Sequence, residues 1–210
     1  MCANFDNLKA EVLSLELAGA NRLHLDVMDG RYVPNFALGL GDVKSVCRNT
    51  SLVTEVHMMI KQPCRYIQMF ANAGVDIMYF HPDADTRPEF VIQKIKDAGR
   101  IPGIVINPET TIESMEHYFE LVSNILVMAV KPGYAGHIYL PYVDEKIKKL
   151  IELKERYNIE IIIDGACTIE RMRRWGKQGV DGFVLGTSSL FGHLGTYKQI
   201  MDNIKRECGE

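Results

Sequence analysis

The sequence predicts an α/β fold, a TIM (β/α)8 barrel with its first strand largely missing from the chain. Three observations carry that expectation. Short apolar, β-branched runs alternate with longer segments of helical period. The strand candidates begin 31, 23, 26, 24, 34 and 21 residues apart, the spacing of consecutive βα units. No Ser/Pro/Gly-rich linker divides the chain, so residues 1–210 read as one domain.

Taken in order, the chain opens in a helix over residues 6–18, and the first strand follows at 21–27. Helices at 41–48, 63–73 and 87–98 then alternate with strands at 52–58, 75–81 and 101–107. The second half predicts helices at 111–122, 142–157, 168–178 and 196–207, with strands at 125–130, 159–164 and 180–185. Gly19, Gly74, Gly99 and Gly179 each stand just past a helical run, where a left-handed cap needs glycine. Thr86-x-x-Glu89 and Thr110-x-x-Glu113 read as capping boxes. Ala-Gly-Ala-Asn at 18–21 recurs as Ala-Gly-Val-Asp at 73–76 and Gln-Gly-Val-Asp at 178–181, a weak repeat marking helix end and strand start.

Eight helices against seven strands leave the barrel one strand short. The expectation is that the missing strand belongs ahead of Met1. Residues 1–4 should then form a stub in a mostly open gap between the strands at 21–27 and 180–185.

Composition removes several classes of function. With 24 Lys+Arg and 27 Asp+Glu the net charge is −3, without the basic excess that nucleic acid or an anionic membrane would call for. Hydrophobic residues make up 47% of the chain, enough for a core. The longest apolar runs, such as residues 125–130, fall far short of the roughly 20 residues that cross a bilayer. The opening Met-Cys-Ala-Asn-Phe-Asp carries no signal-peptide pattern, and five scattered cysteines without Cys-x-x-Cys suit a reducing compartment. A cytoplasmic protein is expected, with no nucleic-acid or membrane partner, and a homo-oligomer.

In a parallel barrel the chemistry sits at the C-terminal ends of the strands. The first visible strand ends His24-Leu25-Asp26-Val27-Met28, so His24, Asp26 and Met28 share one face. The next ends Glu55-Val56-His57-Met58-Met59, which pairs His57 with Met59, and Asp164 closes an aliphatic run at 161–163. Two histidines and two aspartates at one mouth can bind one divalent metal ion: Zn, Mn, Fe(II) or Co. The plainer reading is that each is a hydrogen-bonded structural residue. His81 also ends a strand, and it reads as structural, as lying behind the metal ligands, or as facing the substrate.

After the last two strands come Gly165-Ala166 and Gly186-Thr187-Ser188-Ser189, small residues where barrels hold phosphate. The glycine-rich segment Lys131-Pro132-Gly133-Tyr134-Ala135-Gly136-His137 is either a loop that closes on substrate or an ordinary connection. Met28, Met59 and Met128 are either core filler or a polarisable wall around the metal.

These residues resemble the ribulose-phosphate 3-epimerase family over nearly the whole chain. The resemblance lies in His-Leu-Asp-Val-Met-Asp-Gly-Arg-Tyr-Val-Pro-Asn (24–35), Glu-Val-His-Met-Met (55–59), Val-Met-Ala-Val-Lys-Pro-Gly-Tyr-Ala-Gly (127–136) and Ile-Asp-Gly (163–165). It implies a TIM barrel, a divalent metal on His24, Asp26, His57 and Asp164, and a phosphorylated ketose as the small-molecule partner. It further implies Asp26 and Asp164 as the acid/base pair. Substrate contacts are implied at Met28, His57, Met59, Met128, Gly133, Tyr134, Ala135, Gly136, Gly165, Ala166, Gly186 and Thr187. Within the family, His81-Pro82-Asp83, Asn107-Pro108-Glu109-Thr110, Tyr134-Ala135-Gly136, Gly165-Ala166-Cys167 and residues 186–191 look closer to enzymes of D-allulose 6-phosphate than of pentulose phosphates. Relatives begin with a strand ending Pro-Ser-Leu; here Met1 stands near the end of that strand, Lys131 replaces an Asn or acid, and His137 replaces a Gln.

Epimerisation beside a carbonyl needs one ionised and one protonated carboxyl flanking the same carbon, and two aspartates from distant strands can supply them. The rivals are a metal-dependent aldolase or decarboxylase on the same barrel, and a degraded sugar-phosphate binder. No strand candidate carries the Asp-x-Lys pattern that would favour the decarboxylases.

Overall fold

Isoleucine- and valine-rich runs become parallel strands when both of their faces are covered. The computed structural model describes residues 1–209. Its strands are β1 (Arg22–Asp29), β2 (Phe36–Ala37), β3 (Val53–Met59), β4 (Ile77–Phe80), β5 (Ile101–Ile106), β6 (Asn124–Met128), β7 (Glu160–Asp164) and β8 (Gly182–Val184). The helices are α1 (Leu8–Leu17), α2 (Leu40–Arg48), α3 (Ile67–Ala73), α4 (Pro88–Asp97), α5 (Val143–Tyr157), α6 (Ile169–Gly176) and α7 (Tyr197–Cys208). One curled sheet runs β2-β1-β3-β4-β5-β6-β7-β8; every neighbour pair is parallel except the two-residue β2 against β1.

Two apolar layers follow from strand alternation. Leu23, Leu25, Val27, Val56, Met58, Ile104, Ile106, Ile161 and Ile163 point outward into a large core shared with helix residues such as Val43, Ile95, Ile147 and Trp175. Ile77, Tyr79, Val105, Leu126, Met128 and Ile162 fill the interior of the curl. The weak repeat has a structural job at the strand starts: Asp76 Oδ2 accepts the Thr54 N–H at 2.9 Å, and Asp181 Oδ2 accepts that of Ile161 at 2.8 Å. All four helix-ending glycines have positive φ, between +69° and +115°.

No ladder joins β8 to β1 among the described residues, so the sheet is open there. Residues 1–4 carry no strand pairing, and Met1, Cys2 and Ala3 lie along this seam beside residues 21–26 and 182–187. That is the expected stub in an open gap; four residues are too few to replace a strand.

Two local expectations are corrected. Residues 111–122 do not form an α-helix; they form turns with a single 3-10 segment, Glu116–Tyr118. Their bonds close mostly over three residues, Met115 to Ile112, Tyr118 to Met115, Phe119 to Glu116 and Leu121 to Tyr118. The Thr110/Glu113 box is therefore absent, and Thr111 Oγ1 instead accepts the Ser114 N–H at 3.4 Å. Thr86 is not a cap either. Pro88 occupies the first turn of α4 and holds Arg87 outside helical geometry, which makes Arg87 the capping position.

Interior packing is tight enough to test. Gly103 on β5 pairs with Tyr79 on β4, and a Cβ at Gly103 would collide with the fully buried Tyr79 ring. Gly103→Ala is expected to cost about 1–3 kcal/mol and lower Tm by roughly 2–10 °C in a thermal melt. An unchanged Tm would mean that the ring can yield.

Candidate metal centre and active site

The register of β1 against β3 assembles the site. Arg22, His24, Asp26 and Met28 alternate along β1, and His24 lies opposite Glu55, Asp26 opposite His57, and Met28 opposite Met59. Asp164 arrives from β7, paired with Met128. Four side chains from three strands converge: one ligand atom each from His24, Asp26, His57 and Asp164 lies within 4.8 Å of the others. His57 Nδ1 is 3.4 Å from Asp26 Oδ1 and 3.6 Å from Asp164 Oδ2; His24 Nε2 is 3.5 and 3.9 Å from the same two oxygens.

The donor set fits a divalent cation. His24 Nε2 and His57 Nδ1 are buried without a hydrogen-bond partner, and both face the two carboxylates. Behind them the rings are held. His24 Nδ1–H donates to Glu55 Oε1 at 2.7 Å, and His57 Nε2 meets His81 Nε2 at 2.9 Å. A ring that donates through its far nitrogen presents a lone pair on the near one, as a metal-ligating histidine does. Two imidazole nitrogens and two carboxylate oxygens suit Zn, Mn, Fe(II) or Co.

Without a cation, protons compete for this place. Burial disfavours the charged His24 ring, but the neighbouring Asp26 and Glu55 carboxylates outweigh it and hold its pKa well above the ordinary value. Burial likewise opposes the charged His57, and Asp164 and Asp26 raise its pKa. Burial opposes ionisation of Asp26, yet the two imidazoles hold it well below the carboxylate range. The signs fix a pH profile for the metal-free protein. The His24 contribution to stability is complete below the unfolded histidine pKa and is lost as pH rises through the raised folded value. The Asp26 contribution is present above the unfolded carboxylate pKa and is lost as pH falls through the depressed one. Cation uptake should displace imidazole protons, so calorimetry in buffers of different ionisation enthalpy should show proton release on binding. Uptake without proton release would contradict these signs.

Above the cluster lies a cavity of about 540 Å3 that continues into the β8–β1 seam. Its walls include every predicted site residue but one: His24, Asp26, Met28, Met59, Met128, Gly133, Tyr134, Ala135, Gly136, Asp164, Gly165, Ala166, Gly186 and Thr187. The exception is His57, which is fully buried and does not line the cavity. Met28 and Met59 pack together with Val33, and Met128 belongs to the interior layer. The methionines are thus wall and filler at once.

Two loops frame the mouth. Asp29 pins the loop after β1, its Oδ1 accepting the Arg31 and Tyr32 N–H groups and its Oδ2 that of Lys61, each at 2.9 Å. The 131–137 segment is docked onto that loop: Asn35 Nδ2 donates to the Gly133 carbonyl at 2.8 Å, and the Tyr134 hydroxyl to the Pro34 carbonyl. After β7, Gly165 (φ +102°) and Ala166 (φ +50°) turn sharply, and a Cβ at Gly165 would strike Val130. After β8, the N–H groups of Ser189, Leu190 and Phe191 all return to the Gly186 carbonyl, winding a turn at the cavity rim.

His117 and His193 are exposed and stand outside the site. The sequence reading gave no role to Glu55, Tyr32 or Asn107. The available signal for Glu55 was an acidic residue two positions before His57, on the same face of a strand otherwise buried.

The comparisons with known proteins agree with this geometry. Residues 1–191 match the model of the ribulose-phosphate 3 epimerase family. The chain is 35% identical to the ribulose-phosphate 3-epimerase of Bacillus subtilis over 96% of its length and 94% of the relative's. It is 32% identical to that of Escherichia coli strain K12, over 100% and 94%. Among solved structures it superposes on KGPDC from Streptococcus mutans with a TM-score of 0.70 at 13% identity, covering 96% and 94% of the two chains. Phosphoribosyl anthranilate isomerase from Thermus thermophilus follows at 0.67 and 11%, covering 95% and 92%. At such identities these structures speak for the barrel fold alone, whereas the sequence matches place the chain in a family: it belongs to the ribulose-phosphate 3-epimerases.

Proposed function

We propose that this chain catalyses metal-assisted 3-epimerisation of a phosphorylated 2-ketose, with Asp26 and Asp164 as the two proton-transfer groups. The observation that carries the reading is the pair of carboxylates brought by β1 and β7 to one buried point on a cavity floor. Asp26 Oδ1 and Asp164 Oδ2 face the imidazoles, while Asp26 Oδ2 accepts from the Met1 ammonium at 3.4 Å, a contact that bound substrate would have to replace before the carboxylates handle the C3 proton. One carboxylate removes that proton from one face of the sugar, and the other, protonated, returns one to the opposite face. Asp26, held ionised by its imidazole neighbours, is suited to act as base. A divalent ion held by His24, Asp26, His57 and Asp164 would polarise the ketose oxygens and stabilise enediolate charge. Gly165-Ala166 and Gly186-Thr187 receive the phosphate, and the docked 131–137 segment limits water at the mouth. The reading also places the enzyme in the cytoplasm, where thiols such as Cys47, Cys64 and Cys167 stay reduced.

D-ribulose 5-phosphate is the first substrate to test, because the relatives at 32–35% identity carry that name. D-allulose 6-phosphate is the second, favoured by residues 134–136, 165–166 and 186–187, which line the cavity. Turnover of both should be measured after loading with Zn, Mn, Fe(II) or Co. One of the two is expected to epimerise, with activity lost on chelation and regained on adding metal. Turnover of neither sugar, or full activity after complete metal removal, would overturn the proposal; release of an aldehyde fragment would point to the aldolase reading.

A further inference from the structure

The cavity wall is rich in carboxylates. Glu11, Asp26, Glu55, Glu160, Asp164 and Asp181 line it, and apart from imidazoles the cations there are Arg22, Lys131 and the Met1 ammonium. Two of those cations are engaged. Arg22 Nη2 lies 2.7 Å from Glu160 Oε2 and its Nη1 3.8 Å from Glu55 Oε2, and the Met1 nitrogen lies 3.4 Å from Asp26 Oδ2. Lys131 is exposed, and its ammonium makes no ion pair or hydrogen bond among the described residues.

The Lys131 backbone, by contrast, is held. A carbonyl oxygen only accepts, so the His137 ring donates from Nδ1 to the Lys131 carbonyl at 2.7 Å and closes residues 131–137 into a ring. Within that ring, Asn35 Nδ2 holds the Gly133 carbonyl, and the Tyr134 hydroxyl reaches out to that of Pro34. Pro132 disfavours a helical backbone at Lys131. Val130 fills the place that a Cβ would take on Gly165, so the chain leaves β6 for Lys131 against the turn that carries Gly165 and Ala166. A pinned backbone thus carries an unpaired ammonium beside a segment read as receiving phosphate.

We propose that Lys131 is the cationic contact for the phosphate end of the substrate, and that His137 is the positioning residue that keeps it there. The inference rests on the phosphorylated-ketose reading of the site. A phosphate monoester carries a charge of about −1.5 to −2 at pH 7. Gly165, Ala166, Gly186 and Thr187 can meet it only with backbone N–H groups and one hydroxyl. Those neutral donors leave the charge to be balanced within a wall of carboxylates, and lysine serves phosphate as a flexible point charge. The divalent ion of that reading is committed to the ketose oxygens, so it does not supply the missing charge. Lys131 then decides between a phosphorylated ketose and the same sugar without its phosphate.

The test titrates D-ribitol 5-phosphate and D-glucitol 6-phosphate, polyol phosphates with no carbonyl to react, into the metal-loaded protein by calorimetry, with ribitol as the control. Steady-state rates on the two ketose phosphates are measured on the same samples. The parent should bind a polyol phosphate in a salt-sensitive way and ribitol far more weakly. Lys131→Met should weaken that binding and raise KM by about 10–100-fold each, the effect of removing one charge-assisted hydrogen bond. Its kcat should move less than its KM, with Zn(II) affinity and Tm as in the parent. Lys131→Arg should recover most of the loss. His137→Ala should move KM in the same direction by less, and His137→Asn, whose amide can donate from the place of Nδ1, should recover it. A Lys131→Met protein that binds polyol phosphate like the parent, or loses kcat at unchanged KM, would overturn the proposal, as would a parent indifferent to the phosphate. If the parent binds polyol phosphate through Lys131 yet epimerises neither ketose phosphate, the reaction assigned to the site falls and the anion contact stands.

Discussion

Asp164→Asn is expected to abolish epimerisation, with turnover falling by about 10²–10⁴-fold, the usual contribution of a positioned acid or base. The amide keeps the shape of the side chain and one acceptor oxygen, so it should fit among its neighbours on β6 and β8. It cannot carry the proton. Asp26 is untouched by the change and should still exchange one substrate proton with solvent, giving deuterium uptake without inversion. This split between exchange and epimerisation distinguishes a two-acid site from a single shuttling base. Because Asp164 Oδ2 lies 3.6 Å from His57 Nδ1 and 3.9 Å from His24 Nε2, the change also alters the cation site. Metal content must therefore be measured with the rate. Rapid epimerisation by a fully loaded Asp164→Asn protein would remove Asp164 from the mechanism.

The parts of this fold that could be read ahead were those written in local chemistry. Strand runs are bounded by glycines that leave helices at positive φ, and the carboxylates of Asp76 and Asp181 clamp strand starts from a repeated tetrapeptide. The convergence of His24, Asp26, His57 and Asp164 was legible for a related reason. Alternation fixes which side chains share a face, and a barrel places strand ends at one mouth. The 111–122 segment shows where this logic fails. Ile112, Met115, Tyr118, Phe119 and Val122 are buried as a helix pattern predicts, yet turns closing over three residues bury the same face. Periodicity reports the buried face and leaves the hydrogen-bond length open. Glu55 was unreadable for another reason. Its role depends on the register that sets it opposite His24, and register belongs to the pair of strands.

Removing His57 should have the largest effect on the cation. His57→Ala deletes one of the four proposed ligands and a fully buried ring, leaving a void between His81 and the two carboxylates. Affinity for Zn(II) should fall by more than the ~100-fold that loss of a merely supporting group can cost. Stability should fall as well, because His81 Nε2 loses its one partner and the void forfeits packing; a buried large-to-small change costs about 2–5 kcal/mol. The shape of the void supplies a control. It is bounded by the His81 ring nitrogen on one side and two carboxylates on the other, so added imidazole should enter, restore part of the Zn(II) affinity and raise Tm. Glu55→Gln gives the contrast at the second histidine. The amide can still accept the His24 N–H but no longer places a charge behind the ring, so Zn(II) binding should weaken by about 10–100-fold without imidazole rescue. If His57→Ala bound Zn(II) as tightly as the parent, the cation would have to sit elsewhere, and the two unpartnered ring nitrogens would need another explanation.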